Sequence, residues 1–240
     1  VNFQIKLLEI EEQFSVDICF EDQEFKVSDF SLIVLDMDST LINCEVIDEL
    51  AREVNMQNEV AQITESAMRG ELDFGESLHQ RLLLLKGAPS CILPKVLDAI
   101  DYNPGAKRLI SKLQSLGYKT AIISGGFSFF TEHIKNSLSI DYAFANVLEI
   151  SNGILTGKIE NCPLDGKMKN SVMKKLADDL NIDLRRVIAV GDGANDIPMI
   201  SNSGLGIAFR AKPKVSEASK YAIKIGGLDT ILYFLGIKDD

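Results

Sequence analysis

The stretch Leu32-Ile33-Val34-Leu35-Asp36-Met37-Asp38-Ser39-Thr40 decides the fold. Four apolar residues without polar alternation suit a strand covered on both faces, as in parallel sheets. Two further runs stop in a similar way, Thr120 to Ser124 before Gly125-Gly126 and Val187 to Gly191 before Asp192. Helical patterns lie between them. Leu109, Ile110, Leu113 and Leu116 recur at helical spacing over Ala106 to Leu116, with Gly117 placed to end the helix. Val172, Met173, Leu176, Ala177 and Leu180 mark another helix. This alternation predicts an α/β fold, a Rossmann-like parallel sheet with helices on both faces.

Two segments interrupt the pattern. From Glu45 to Asn103 the sequence reads as helix almost throughout, with one stripe at Val46, Ile47, Leu50, Ala51 and Val54 and another at Leu78, Leu82 and Leu85. The segment is too long for a simple crossover and predicts an inserted helical domain. The second interruption, Val147 to Ile159, has apolar runs flanking Asn152-Gly153, a hairpin-turn signal. The expected organisation is a small N-terminal extension over 1–30, a core over 31–44 and 104–240, and a helical insert over 45–103. In the extension, Phe14, Val16, Ile18 and Phe20 fall at period two, which predicts a strand pair.

Composition narrows the functional classes. The chain has 240 residues, 46% of them hydrophobic and 25% charged, enough for a sizeable buried core. Its net charge of −10 argues against nucleic acid as a partner, since phosphate backbones require clustered Lys and Arg. Residues 1–30 hold eight acidic residues and two Lys, so the rest of the chain is close to neutral. The longest apolar run is five residues, Ile231 to Leu235, far below the roughly 20 needed to span a bilayer, and no membrane partner is expected. The first 30 residues do not read as a secretory signal. Cys19, Cys44, Cys91 and Cys162 form no CxxC pair, which suits reduced thiols and a cytoplasmic location.

The strand ends carry the chemistry. In open α/β sheets, ligands collect beyond the carboxyl ends of the strands. If extended geometry persists past Leu35, Asp36 and Asp38 point the same way and two carboxylates enter one site. A lone Asp after a strand is more often a cap or turn former, so this pair needs partners. Asp192 and Asp196, in Gly191-Asp192-Gly193-Ala194-Asn195-Asp196, reach the same edge if the strands are neighbours. Clustered carboxylates without His or Cys describe a hard oxygen site suited to Mg²⁺. Ser124-Gly125-Gly126 is expected to end a strand and open a helix, offering a hydroxyl and free N–H groups to a phosphate. Lys167 and Lys169 could each supply a cation.

Asp36-Met37-Asp38-Ser39-Thr40, Ser124, Lys169 and Gly191-Asp192-Gly193-Ala194-Asn195-Asp196, in this order, resemble the four motifs of the haloacid dehalogenase superfamily. The fuller matches, with Glu45 and Ser124-Gly125-Gly126-Phe127, resemble its branch that hydrolyses O-phospho-L-serine in the last step of serine biosynthesis. The resemblance covers about 32–227 and implies a cap formed by the helical insert, a Mg²⁺ cofactor and an aspartyl-phosphate route. Asp36 would be the nucleophile and Asp38 the general acid and base. The metal would take Asp36, Asp192 and the Asp38 carbonyl, with Asp196 in support. Ser124, Gly125 and Lys169, the family counterpart preferred over Lys167, would hold the phosphoryl group, and Asn195 would also contact substrate. Glu45 would meet the ammonium, Arg81 the carboxylate, and Met68 and Phe74 would shield them.

Without the family, Arg81 reads as a surface or capping residue and Glu45 equally as a first-turn helix acid. Two other functions share the motifs: transfer to another acceptor or hydrolysis of another small phosphate monoester, and a non-catalytic receiver-like module phosphorylated on Asp. A second Asp two residues beyond the nucleophile and a long insert have no purpose in a receiver. Oligomeric state is not legible in the sequence.

Overall fold

The computed structural model describes residues 10–11, 13–18, 25–68 and 71–237. Its centre is β1 (Leu32–Leu35), flanked in parallel by β2 (Lys119–Phe127) and β6 (Val187–Gly191). With β3 (Tyr142–Asn146), β7 (Leu205–Phe209) and β8 (Tyr221–Ile223) they form a six-stranded parallel sheet in the order β3-β2-β1-β6-β7-β8. The strand order reverses beside β1, which opens a crevice at the carboxyl ends of β1 and β6.

The period of two along each strand divides the core into two layers. Leu32 and Val34 join Ala121, Ile123, Val187 and Ala189 on one face, covered by Met173, Leu176 and Ala177 of α7 (Gly166–Asp179). Ile33 and Leu35 join Ile122, Ile188 and Val190 on the other, where Leu109, Ile110 and Leu113 of α5 (Ala106–Ser115) pack. All four β1 residues are fully buried, which is why that strand tolerates no polar alternation. Gly117 follows α5 at φ +84°, as its place in the sequence requires.

The helical insert contains α1 (Val46–Glu53), α2 (Gln57–Met68), α3 (Phe74–Leu84) and α4 (Ile92–Asp98). The stripe at Val46, Ile47, Leu50 and Ala51 is buried, as are Leu78, Leu82 and Leu85. The hairpin of β4 (Leu148–Ser151) and β5 (Ile154–Ile159) turns at Asn152 and Gly153, both at positive φ. It docks on the insert: Gly87 N–H donates to Leu155 O at 2.9 Å, and Ser90 N–H to Gly153 O at 2.8 Å.

The remaining helices are α6 (Ser128–Leu138), α8 (Ile197–Asn202), α9 (Pro213–Ala218) and α10 (Ile231–Phe234). The strand pair expected in residues 1–30 falls partly outside the described residues. Where that segment is described, Ile10, Glu11, Gln13 and Phe14 are helical and Val16 to Ile18 form no strand. The Asp17 carboxylate instead accepts the N–H groups of Lys224 and Gly226, each at 2.7 Å, tying the segment to the turn after β8. A period of two over so few residues did not outweigh these polar anchors.

Candidate active site

Asp36 keeps the extended backbone of β1, and the chain changes direction just after it. Its backbone N–H still donates to Val190 O at 3.0 Å, but its carboxylate turns back to accept Met37 N–H at 2.7 Å. Asp38 and Ser39 then leave the strand path, Ser39 at φ +54°, and the loop curls towards α1. Asp36 and Asp38 thus line one cavity of about 840 Å³ between the sheet edge and the insert. That volume lies within the range of small-ligand sites.

Lys169, in the first turns of α7, is fully buried beneath them. Its Nζ lies 2.7 Å from Asp36 Oδ2 and 2.8 Å from Asp196 Oδ1. Burial alone would lower its pKa, but the Asp196 and Asp36 carboxylates outweigh burial and hold it raised. Lys167 is exposed at the cavity wall, so Lys169 is the lysine at the carboxylates.

Asp36, Asp192 and Asp196 each offer a carboxylate oxygen within 4.8 Å of the others. Asp196 is committed: Oδ1 takes Lys169, and Oδ2 accepts the N–H groups of Asp192 at 3.1 Å and Gly193 at 3.0 Å. Thr40 Oγ1 donates to Asp192 Oδ1 at 3.2 Å. Burial, then Asp36, pushes Asp192 up to about 8 and Asp196 up to about 7. One lysine stands among three buried acids, and every remaining donor atom of the cluster is oxygen. That chemistry fits a hard divalent cation.

Asp38 is held differently. Oδ1 accepts Val46 N–H at 2.9 Å, and Oδ2 lies 3.3 Å from Ser124 Oγ. Burial, followed by the charges of Glu45 and Asp36, raises its pKa well above the ordinary value, which favours the protonated acid.

The expected helix start at Ser124-Gly125 lies elsewhere. β2 runs on through Gly125 and Gly126 to Phe127, and α6 begins at Ser128, because pairing with β3 resumes at Phe127 opposite Asn146. Ser124 Oγ instead accepts Gly126 N–H at 2.9 Å, and Asn146 Nδ2 donates to Gly125 O at 2.7 Å. A Cβ on Gly126 would come within 2.4 Å of Asp38 Oδ2, and one on Gly125 within 2.9 Å of Phe74 Cζ. Both glycines allow the close approach of groups that face the cavity.

The insert supplies the opposite wall. Glu45 precedes α1 and accepts Ser39 Oγ–H at 2.8 Å, with its pKa raised by burial. Arg81, on α3, has its pKa lowered by burial against the opposing pull of Glu45, Asp48 and Asp38. Phe74 starts α3 behind the Asp73 and Glu76 capping box. Asn195 also lines the cavity, whereas the side chain of Met68 lies outside the described residues.

Sequence reading missed Thr40, Asn103, Asn146 and Lys212. The Asn103 and Asn146 side chains bond to backbone distant in sequence, and Lys212 lines the cavity with Glu45 and Asp48, where its charge opposes the rise in their pKa. The Asp36-to-Thr40 motif contained Thr40, but nothing local showed that its hydroxyl reaches Asp192.

A family model of haloacid dehalogenase-like hydrolases matches residues 30–204, and the chain belongs to that family. Within it, the chain falls among the phosphoserine phosphatases. It is 46% identical over 215 residues to the phosphoserine phosphatase of Polaromonas sp., covering 87% of this chain and 91% of that protein. Three other curated relatives are longer, and the chain spans 50% to 74% of their lengths. A crystal structure of a haloacid dehalogenase family hydrolase from Salmonella enterica serovar Typhi superposes with TM-score 0.90 at 38% identity, covering 98% of this chain and 80% of that one. A phospho-aspartyl intermediate analogue of phosphoserine phosphatase superposes with TM-score 0.82 at 43% identity, covering 86% and 99%.

Proposed function

We propose that the protein hydrolyses O-phospho-L-serine to serine and phosphate through an aspartyl-phosphate formed on Asp36, the reaction that would complete serine synthesis in the cytoplasm. One observation carries this reading: Asp36, bonded to buried Lys169, shares a cavity with Asp38, whose surroundings favour the protonated acid. The two carboxyl groups are thereby divided between nucleophile and acid.

In the first step an Asp36 oxygen attacks phosphorus, the bond from phosphorus to the serine oxygen breaks, and Asp38 gives its proton to that oxygen. In the second, Asp38 takes a proton from water as the water oxygen attacks phosphorus. The Asp36–phosphorus bond breaks, and both aspartates return to their starting states. Mg²⁺, held by Asp36, Asp192 and the Asp38 carbonyl with Asp196 in support, would supply neutralisation of the charge between nucleophile and phosphate. Lys169, Ser124 and the Gly125 N–H hold the phosphoryl oxygens. Glu45 takes the ammonium and Arg81 the carboxylate as a planar fork, with Phe74 excluding water and Asn195, in the cavity lining, also contacting the substrate.

The test is phosphate release from a panel of monoesters with Mg²⁺. Phosphoserine should be cleaved with the highest kcat/KM, and a preference for esters lacking the amino-acid groups would overturn the substrate assignment.

A further inference from the structure

Two chain segments connect the insert to the core, and they meet in a short antiparallel contact. Ile42 pairs with Tyr102, Asn43 N–H donates to Asp101 O at 3.1 Å, and Asn103 N–H donates to Leu41 O at 2.9 Å. Asn103 is buried at the end of this contact. Its Nδ2 donates to the carbonyls of Ser39, Thr40 and Ile42 at 3.3, 2.8 and 3.0 Å. Three acceptors around Nδ2 set the direction in which the amide faces, and the Arg210 guanidinium lies 3.5 Å from Oδ1.

Any buried donor could satisfy these carbonyls. What distinguishes the loop is where its two hydroxyls go. Thr40 Oγ1 donates to Asp192, and Ser39 Oγ donates to Glu45. Ser39 adopts a left-handed conformation that serine rarely takes, so this arrangement needs outside support.

The geometry points to Asn103 as a positioning residue for the phosphatase reaction: by clamping the loop carbonyls it sets Thr40 against Asp192 and Ser39 against Glu45. One amide thus aligns a carboxylate on the metal side and a carboxylate on the substrate side. The inference rests on the reading above, in which Asp192 holds Mg²⁺ and Glu45 meets the substrate ammonium.

The test is Asn103→Ala in the full chain, first by melting temperature against Mg²⁺ concentration without substrate. The Mg²⁺ midpoint, taken as the apparent Kd fitted from the rise in melting temperature, should rise about 10-fold, the low end for groups that orient metal ligands. At saturating Mg²⁺, KM for phosphoserine should rise while KM for nitrophenyl phosphate, which has no ammonium, stays near wild type. A purely structural role would lower the melting temperature and the active fraction and leave the Mg²⁺ midpoint and the KM for phosphoserine in place, and that result would overturn the proposal. Because Asn103 acts on Asp192 through Thr40, Asn103→Ala should add little to the Mg²⁺ midpoint of Thr40→Val; additive effects would also overturn it. If Asn103→Ala does not fold, Asn103→Ser retains a donor and should give an intermediate midpoint, and a wild-type midpoint there counts against the clamp. A wild-type protein whose melting ignores Mg²⁺ overturns the metal-site reading and this inference together, whereas a responsive wild type with an unmoved variant overturns the inference alone.

Discussion

Replacing Lys169 with Met keeps an unbranched side chain, one atom shorter, and removes its charge. In the wild type, Nζ lies 2.7 Å from Asp36 and 2.8 Å from Asp196, and the lysine is fully buried. Exchanging a whole buried ion pair for apolar residues can be neutral, but removing one partner leaves uncompensated charge and costs about 3 to 5 kcal/mol. For a chain of 240 residues each kcal/mol moves Tm by about 2 to 4 °C, so metal-free Lys169→Met should melt about 6 to 20 °C lower. The carboxylates can relieve part of this by taking up protons. Asp196 already sits at about 7 through burial and Asp36, and without Lys169 it rises further. A carboxyl whose folded pKa is raised contributes stability that is present at low pH and lost as pH climbs through the folded value. The Tm deficit should therefore be larger at pH 8 than at pH 5.5. Melts in a chelator at both pH values decide the matter: a deficit under about 2 °C, or one independent of pH, would refute the assignment of Lys169 as counter-charge to these acids.

Three further outcomes follow from the site. Asp38→Asn should slow the first step towards phosphoserine by about 10² to 10⁴ and slow nitrophenyl phosphate far less, because a good leaving group needs little protonation; single-turnover phosphorylation measures this, and equal losses would remove the acid role. Arg81→Ala should lower kcat/KM for phosphoserine by about 30-fold to several thousand-fold, as expected when a buried charge pair loses one partner, and should spare phosphoethanolamine, which lacks the carboxylate. Without metal, Asp192 at about 8 and Asp196 at about 7 make the protein lose stability as pH rises from about 4, where the unfolded carboxyls titrate, up to those values. Mg²⁺ at 100 times its Kd should restore about 2.7 kcal/mol at pH 8, or about 5 to 11 °C in Tm, and should do less at pH 5.5; the reverse pH trend in paired melts would contradict the site.

The core was legible because its signals are local. Leu32 to Leu35 and Val187 to Val190 are apolar throughout because both sheet faces are covered, and Asn152-Gly153 carries its turn in its own backbone preferences. The carboxylates were legible for a related reason: a parallel sheet delivers whatever follows each strand to one edge. Contacts formed across the chain were not legible. Whether the hairpin would reach the insert depended on Gly157 fitting against Leu82 O, at 3.1 Å from the Cβ it lacks. Asn103 looked like any polar residue before a proline, since its loop partners lie more than 60 positions earlier. Lys167 and Lys169 differ by about half a helical turn; spacing alone did not separate them, the family pattern favoured Lys169, and the packing of α7 on the sheet buries it. At Ser124-Gly125-Gly126 the turn signal was misleading, because the glycines serve close approach within a continuing strand.

The central claim is that phosphate passes through Asp36. Protein mixed with ³²P-labelled phosphoserine and Mg²⁺, quenched in acid during turnover and digested, tests it most directly. The label should appear on the peptide containing Asp36, be released by hydroxylamine as an acyl phosphate is, and be absent from Asp36→Asn. Turnover by the wild type with no label on the chain under conditions that accumulate the intermediate, or label retained at full stoichiometry in Asp36→Asn, would contradict it.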